Sequence, residues 1–323
     1  MKKLILKFSI SLMLLGWFLW HTNRHDLWIS LNSISIGALL LPLTLFSLAY
    51  LVATYKWNIL LPASPFRLLL RFVFISQYYS LILPGQLAGE TMKIYFMGKG
   101  QKNAEQIAVS VVFDRLTGII GLLLFCLGGI YLSRNKIPPS LTISMALLVL
   151  TLGGILFSLR FDFFFRLLTK GLNLAQSRFV RLTKVVGQIS RALEAWRSYL
   201  RRGDLLVYSL LLALVFQFLS TLTCAILAGG LGIILPFFDW CWVLGVVSIA
   251  VFLPITIGGL GLREGAFVGL LGYLGVPAAP ALALSFTIFF LVLCGAGVGA
   301  ICEWLRLVRN RHPQGQNRED SGK

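Results

Sequence analysis

The sequence has 323 residues, of which 57% are hydrophobic and 13% are charged, and its formal net charge is +17. The mean hydropathy of +0.83 is too high for a soluble domain and predicts an all-α polytopic membrane protein. Lysine and arginine are concentrated in short segments between apolar runs, which is typical of a membrane-topology signal. We therefore attribute the charge to topology and predict no nucleic-acid partner.

Seven apolar runs are distributed along the sequence. Uncharged or nearly uncharged runs of about the length of a membrane helix occupy 8–20, 36–55, 116–133, 141–159, 205–235, 240–262 and 265–302. The first run follows two lysines, and no small-residue cleavage site comes after it, so we interpret it as a retained signal anchor with a cytoplasmic amino terminus. The longest run must contain more than one element.

No motif indicates a metal, a cofactor or catalysis. The five cysteines lie in apolar segments without CxxC spacing, which is typical of small buried side chains, and the three histidines are too scattered for a metal site. Nucleophile-elbow, HExxH and dinucleotide-binding patterns do not occur in the sequence. We predict no metal and no cofactor, and we expect any associated catalytic domain to lie elsewhere.

The basic segments indicate the orientation. Residues 160–204 contain ten Lys/Arg against three acids, and residues 306–323 contain five against two. Short basic loops stay on the cytoplasmic side, so we predict that this segment and both termini are cytoplasmic. The chain is divided into a membrane domain, 1–305, which includes the basic amphipathic 160–204 segment, and a disordered basic tail, 306–323.

Simple crossings would place the basic 160–204 segment outside the cell. We therefore predict about six full spans plus two re-entrant or broken-helix hairpins, which turn at 83–90 and near 258–265. The hairpins would enter from opposite faces, in the middle of 36–131 and of 205–304. This pattern is an inverted-topology repeat, as found in secondary transporters. Full crossings with a different loop assignment are the alternative.

The first predicted hairpin contains "LPGQLAGETMK". Pro84 and Gly85 should end one half-helix, and Gly89 also belongs to the predicted turn. Glu90 and Lys93 are three residues apart and therefore share a helix face. They are either a polar lining around a lipid headgroup or an ordinary pair at the membrane boundary.

Asp114 and Arg115 lie inside the start of an apolar run, where charged side chains are costly. Adjacent residues on a helix point about 100° apart, so we predict separate partners for the two side chains. Either both face a polar cavity, or the arginine extends to the interface and the aspartate caps the helix.

The second predicted turn contains one proline and three glycines, Pro254, Gly258, Gly259 and Gly261. Arg263 and Glu264 follow at the start of the next half-helix. A helix amino terminus after a glycine-rich turn can bind an anion, and Arg263 could add a bidentate contact to a phosphate. Alternatively, Glu264 serves only its own helix dipole. No Gly-Lys-Ser/Thr follows, so nucleotide binding is not predicted.

Two further patterns concern helix packing. A helical apolar stripe in the basic segment comprises Val186, Ile189, Leu193, Trp196 and Leu200. The stripe fits a helix on an anionic leaflet and equally a connector that packs on the bundle. Close helix packing is predicted at glycines 118, 121, 295, 297 and 299.

Three sequence blocks, "LPGQLAGETMKIYFM", "VVFDRLTG" and "LPITIGGLGLREGAF", together resemble the membrane domain of the lysylphosphatidylglycerol synthase family. This flippase-like domain also occurs alone in many bacterial and archaeal proteins. The resemblance covers nearly the whole chain, roughly 4–306. Asp114 stands where the family commonly has glutamate, a mild departure.

The larger members of that family join this domain to a soluble aminoacyl transferase or to a glycosyltransferase. This chain ends about twenty residues after its last apolar run, so the resemblance implies the lipid-handling part, without lysyl transfer. We expect it to translocate a phospholipid or lipid-linked glycan headgroup across the cytoplasmic membrane of a bacterium or archaeon. Its partners would be membrane lipids with anionic or phosphate-bearing headgroups.

The expected polar route contains Arg263 with the glycine amides at one end, completed by Arg115, Lys93 and Glu90. The alternative is a non-transporting membrane subunit or anchor for a separate lipid- or glycan-modifying transferase.

Overall fold

A computed structural model describes residues 2–33, 35–83, 87–99, 103–133, 139–158, 183–252 and 258–311, together with Ile137, Lys170 and Thr256. Within these residues the regular structure is entirely helical, with twelve α-helices and one 3-10 helix. The predicted all-α class is confirmed.

The helices up to residue 158 are α1 (Lys2–His21), α2 (Arg24–Asn32), a 3-10 helix (Ile36–Leu39), α3 (Leu40–Leu60), α4 (Phe66–Ile82), α5 (Leu87–Gly98), α6 (Ala104–Leu132) and α7 (Pro139–Ser158). After residue 182 follow α8 (Thr183–Arg201), α9 (Gly203–Gly230), α10 (Phe237–Phe252), α11 (Leu262–Tyr273) and α12 (Ala278–Arg311).

Four helical segments of the described chain are long and apolar enough to cross a membrane: Gly37–Leu60, Ala104–Leu132, Gly203–Gly230 and Ala278–Val308. The protein is therefore a polytopic membrane protein. Between the first two segments lie α4 and α5, with 17 and 12 residues. Between the last two lie α10 and α11, with 16 and 12 residues. Each of these four helices is shorter than the roughly 20 residues of a full span, as expected for broken-helix hairpins.

The two halves, α3–α6 and α9–α12, pack on each other in a repeated pattern. Helix α3 packs against α9, α4 packs against α12, and α6 packs against α10. In the two halves α3 corresponds to α9, α4 to α10 and α6 to α12. When each helix is replaced by its counterpart, the pair α4–α12 becomes α10–α6, and the pair α3–α9 stays the same. The packing is therefore that of an internal repeat, whereas the inversion across the membrane stays a prediction.

Small residues allow these helices to approach closely. A Cβ atom added at Gly121 of α6 would lie 2.7 Å from Cβ of Ala213 in α9, and one at Gly295 of α12 would lie 2.8 Å from Oε1 of Gln77 in α4. Gly299 likewise faces the backbone of Phe74. Close packing is confirmed at these three glycines.

The other two glycines differ. A Cβ at Gly118 would lie 3.4 Å from Nζ of Lys56, so this glycine leaves room for a side chain of α3. The prediction is wrong for Gly297, which has no neighbour within 4 Å of an added Cβ, because it faces away from the packed side of α12.

Helix α8 is a connector that packs on the bundle. The ring of Trp196 lies 5.6 Å from that of Phe113 in α6, and the Tyr199 hydroxyl donates a 2.8 Å hydrogen bond to the carbonyl of Leu60. Leu200 is buried, whereas Ile189 is exposed. The carboxyl-terminal part of the predicted apolar stripe therefore contacts protein, and the side chain of Val186 lies outside the described residues.

Of the predicted turn residues Pro84, Gly85, Gly89 and Pro254, the structure describes only Gly89. Gly89 lies inside α5, not in a turn, so this prediction is wrong. The cause is packing: the missing side chain of Gly89 lets α5 approach the Ser76 backbone of α4. Pro84, Gly85 and Pro254 lie outside the described residues.

The second turn is glycine-dependent as predicted. Gly258, Gly259 and Gly261 have φ angles of 61°, 75° and 88°, a region that strongly favours glycine.

Candidate functional site

A cavity of about 450 Å³ lies between the two halves and is bounded by both. Its size is in the usual range for small-ligand sites. Helices α3 to α6 contribute one part of its wall and α9 to α12 the other. The cavity thus occupies the position between repeats where transporters of this general plan bind their substrates.

Six charged side chains line this cavity in the described part of the chain: Lys56, Glu90, Lys93, Asp114, Arg115 and Arg263. Four cations face two carboxylates in this wall, and Glu264, which contacts Arg263 from outside the wall, brings the net charge of the site to +1. Charged groups at membrane depth are costly and are a functional-site hypothesis by default. Among the described groups of the site, positive charge therefore exceeds negative charge.

Glu90 is the centre of a three-residue cluster. Its carboxylate is paired with the Arg115 guanidinium and with Nζ of Lys93, which lies 3.1 Å from Oε2 and 3.2 Å from Oε1. The Ser76 hydroxyl donates a longer hydrogen bond, 3.4 Å, to the same carboxylate. Lys93 also lies 4.9 Å above the Trp57 ring. The predicted shared face of Glu90 and Lys93 on α5 is confirmed.

Asp114 has a different cation as its partner. Nζ of Lys56 lies 3.1 Å from Oδ1 of Asp114 and donates a 2.7 Å hydrogen bond to the carbonyl of the same residue. The prediction that Asp114 and Arg115 have separate partners is confirmed. Of its two alternatives, the structure shows the cavity-facing one, since both side chains line the cavity.

The glycine turn holds Arg263 and Glu264 in contact with each other. Nη2 and Nε of Arg263 lie 2.5 and 3.1 Å from Oε1 of Glu264, and the Ser285 hydroxyl donates a 3.0 Å hydrogen bond to that oxygen. The Gly261 amide donates a 2.6 Å hydrogen bond to Oε2 of Glu264. The Glu264 carboxylate therefore caps α11, in agreement with the alternative that this residue serves its own helix. The Gly261 amide already has a hydrogen-bond partner.

Arg263 nevertheless faces the cavity, together with Gly258, and its guanidinium lies 4.5 Å from the centre of the Phe289 ring. Gly259 and Gly261 are not part of the cavity wall. A Cβ at these positions would lie 2.5 Å from Val251 and from Leu14 respectively. They shape the turn that presents Arg263.

Sequence reasoning missed Lys56 and the neutral polar groups of the wall. The apolar pattern of α3 continues past Lys56 to Leu60, which could have indicated the burial of this lysine. Gln77 donates a 3.3 Å hydrogen bond to the carbonyl of Val292, while its buried Oε1 accepts none. Nε of Arg115 is also buried without a hydrogen-bond partner.

The fold and the cavity define the class: a polytopic helical membrane protein with two packed repeats around a shared ionic cavity. The sequence model of the family described as "Lysylphosphatidylglycerol synthase TM region" matches residues 4–298. The chain belongs to this family, as the three sequence blocks predicted. No curated protein and no solved structure matches the chain.

Proposed function

We propose that this protein translocates the phosphate-bearing headgroup of a phospholipid or lipid-linked glycan across the membrane. The observation that carries the proposal is the cavity between the two halves, with four cations and two carboxylates in its described wall. The acyl or prenyl chains would remain in the surrounding lipid during transfer. The proposed location is the cytoplasmic membrane of a bacterium or archaeon, with both termini cytoplasmic.

Electrostatics favours an anionic headgroup. A phosphate inside hydrocarbon needs cations and hydrogen-bond donors, since water no longer solvates it. Arg115 supplies both, because its side chain is 34% exposed and its Nε is unpaired. Lys93 and Lys56 lie on the same wall. Both lysines are buried, and a charge-assisted hydrogen bond to a buried group is stronger than one in solution.

The second half adds neutral hydrogen-bonding groups to the same cavity. Gln217 and Ser220 of α9 and Ser248 of α10 line it. These side chains suit the hydroxyl groups of a glycerol or sugar headgroup, while the phosphate contacts the cations. A lipid headgroup would therefore contact both halves at once.

Reconstituted vesicles test this proposal. Fluorescent phospholipids and a lipid-linked sugar are placed in liposomes with the purified protein, and the fraction accessible to an external quencher is followed over time. We expect Arg115→Gln to slow translocation at least about tenfold, because a charge-assisted contact to the phosphate is lost. The same substitution at Arg306, which is paired with Glu303 and does not line the cavity, should leave the rate unchanged.

Two results would overturn the proposal. One is a wild-type protein that translocates none of the headgroups. The other is a folded Arg115→Gln variant that transports at the wild-type rate. The first would favour the non-transporting alternative, in which the protein anchors a separate lipid- or glycan-modifying transferase, and co-purification of such an enzyme would then be the next measurement. The second would show that the headgroup does not depend on Arg115.

A further inference from the structure

The charges around the cavity are not distributed evenly. Lys56 and Asp114 form one neutral pair, and Arg263 and Glu264 form another. The remaining cluster, Glu90 with Lys93 and Arg115, contains two cations and one carboxylate. Among the described residues of the cavity wall, the single uncompensated positive charge therefore belongs to this cluster.

We propose that Glu90 is a specificity-determining residue that restricts the cavity to headgroups with one negative charge, phosphodiesters, and disfavours phosphomonoesters with two. A phosphodiester monoanion neutralises the cluster completely. A dianion would leave one negative charge uncompensated beside Glu90 and Lys93, whose side chains are only 6% and 8% exposed. An uncompensated charge in such buried surroundings is costly. This inference rests on the proposed function and names its substrate class.

The geometry around Glu90 supports this role. Its side chain is only 6% exposed, so the carboxylate is fixed beside both cations and is not screened by bulk water. Nε of Arg115 is buried without a hydrogen-bond partner, so the described protein groups leave one directed donor of the cluster unsatisfied. One unpaired arginine donor and one surplus charge match the single negative charge that a phosphodiester shares between its two free oxygens.

Glu264 does not have the same effect. It is completely buried, caps α11 through the Gly261 amide and neutralises Arg263 one to one. Replacing it would break a helix cap as well as change the charge. Glu90 accepts its hydrogen bonds from side chains alone in the described structure, so its charge can be removed with less disturbance of the backbone.

The test compares two lipids that differ by one methyl group and one charge. Phosphatidylmethanol is a phosphodiester with one negative charge. Phosphatidic acid is a phosphomonoester whose second ionisation lies near pH 6, so that it carries about two charges at about pH 8.5. Binding of each lipid to the purified protein in neutral detergent is measured by native mass spectrometry, and the ratio of the two affinities is the readout.

We expect the wild-type protein to bind phosphatidylmethanol at least about tenfold more tightly than phosphatidic acid. Glu90→Gln raises the cluster charge to +2 and should reverse this preference. Glu90→Asp keeps the charge and should retain it. In the double variant Glu90→Gln/Lys93→Gln the cluster charge returns to +1, and the wild-type preference should return with it.

Glu303→Gln is the matched control, since Glu303 is also a buried glutamate paired with an arginine but does not line the cavity. It should bind both lipids with the wild-type ratio. If Glu90→Gln does not fold, the single variant Lys93→Gln replaces it as the test. Its cluster is neutral, so it should disfavour phosphatidic acid more strongly than the wild type does.

A Glu90→Gln variant that keeps the wild-type ratio, or a double variant that keeps the reversed ratio, overturns the inference. Translocation of the two lipids in phosphatidylcholine vesicles is measured separately. Absence of translocation with a charge-dependent binding ratio refutes transport but not the role of Glu90. Translocation without any dependence of binding on the Glu90 charge refutes the role of Glu90 alone.

Discussion

Glu90 and Glu264 are both buried glutamates beside an arginine, yet their hydrogen-bond partners give them different roles. Glu264 accepts hydrogen bonds from the Gly261 amide and the Ser285 hydroxyl as well as from Arg263, so both of its carboxylate oxygens already have partners inside the protein. Glu90 is shared by two cations. If a phosphate-bearing headgroup binds as we propose, the Glu90 cluster can therefore receive it without removal of a helix cap.

Lys56 and Asp114 give a stability prediction at the level of single residues. Their side chains are 7% and 20% exposed, so removing one partner leaves the other charge buried and unpaired. We expect Lys56→Met to lower the free energy of unfolding by about 3 kcal/mol. Addition of Asp114→Asn should recover most of this loss. The measurement is unfolding in mixed micelles with increasing SDS, followed by tryptophan fluorescence.

The double variant also provides the refutation. If Lys56→Met/Asp114→Asn is no more stable than Lys56→Met, then the two charges are solvated independently and do not form a buried pair. Arg202→Met is a suitable control, because its side chain is 62% exposed in its pair with Asp204, and pairs of this kind contribute little.

How far the sequence predicts the site depends on the range of the interaction. Separate partners for Asp114 and Arg115 follow from helix geometry, because adjacent residues diverge by about 100°. The pairing of Glu90 with Lys93 follows from their spacing. The pairing of Lys56 with Asp114 spans 58 positions. It depends on how α3 packs against α6, and no local pattern contains that information.

At the level of elements, the sequence predicted the hairpins but not the role of Gly89. A glycine near a proline favours a turn on local grounds, and here the tertiary contact decided otherwise. Helix α5 already begins at Leu87, and the glycine faces the backbone of α4. The amphipathic pattern of α8 was equally compatible with lipid and with protein, since a stripe shows that a face is buried but not against what.

Gly89 gives a prediction for the packing of α5 on α4. A Cβ at this position would overlap the Ser76 carbonyl, which is backbone and cannot rotate away. We expect Gly89→Ala to destabilise the protein by about 1–3 kcal/mol, even though alanine favours a helix. Because Glu90 is the next residue, the shift of α5 should also weaken lipid binding. SDS unfolding and native mass spectrometry measure the two effects.

Gly128→Ala is the matched control, because this glycine of α6 has no atom within 4 Å of an added Cβ. There the change should be neutral or stabilise by up to about 1 kcal/mol, through the helix propensity alone. Equal effects at the two positions would show that α5 does not pack closely on α4.

At the level of the whole molecule, two independent observations support a plan of two related halves, each with one hairpin. These are the distribution of charges along the sequence and the packing of the helices. The distribution of lysine and arginine predicts two hairpins, one in each half of the chain. The packing of α4 on α12 and of α6 on α10 relates the same two halves by exchange. The side of the membrane on which each segment lies can be predicted from the sequence, because that prediction needs only the charges between apolar runs. The shared cavity depends on contacts between the halves, which the sequence does not contain.

The orientation of α9 tests that plan directly. This helix has 28 residues, about 42 Å at 1.5 Å per residue, which is enough to cross the membrane. Ser198 of α8 precedes it and Ile234 follows it, and both side chains are exposed. We expect Ile234→Cys to react with a membrane-impermeant maleimide in intact cells, and Ser198→Cys to react only after lysis, because the basic segment that contains Ser198 should be cytoplasmic.

The five native cysteines are replaced by alanine for this measurement, so that each variant has one thiol, and lysed cells show that both positions can react. The reverse pattern would place the basic segment outside and refute the charge assignment. Labelling of both cysteines in intact cells would mean that α9 does not cross, and the two-hairpin plan would then fail, since it requires one crossing between the basic segment and the second hairpin. Labelling at 234 alone fixes the side from which α10 enters, and hence the face towards which the Arg263 end of the cavity lies.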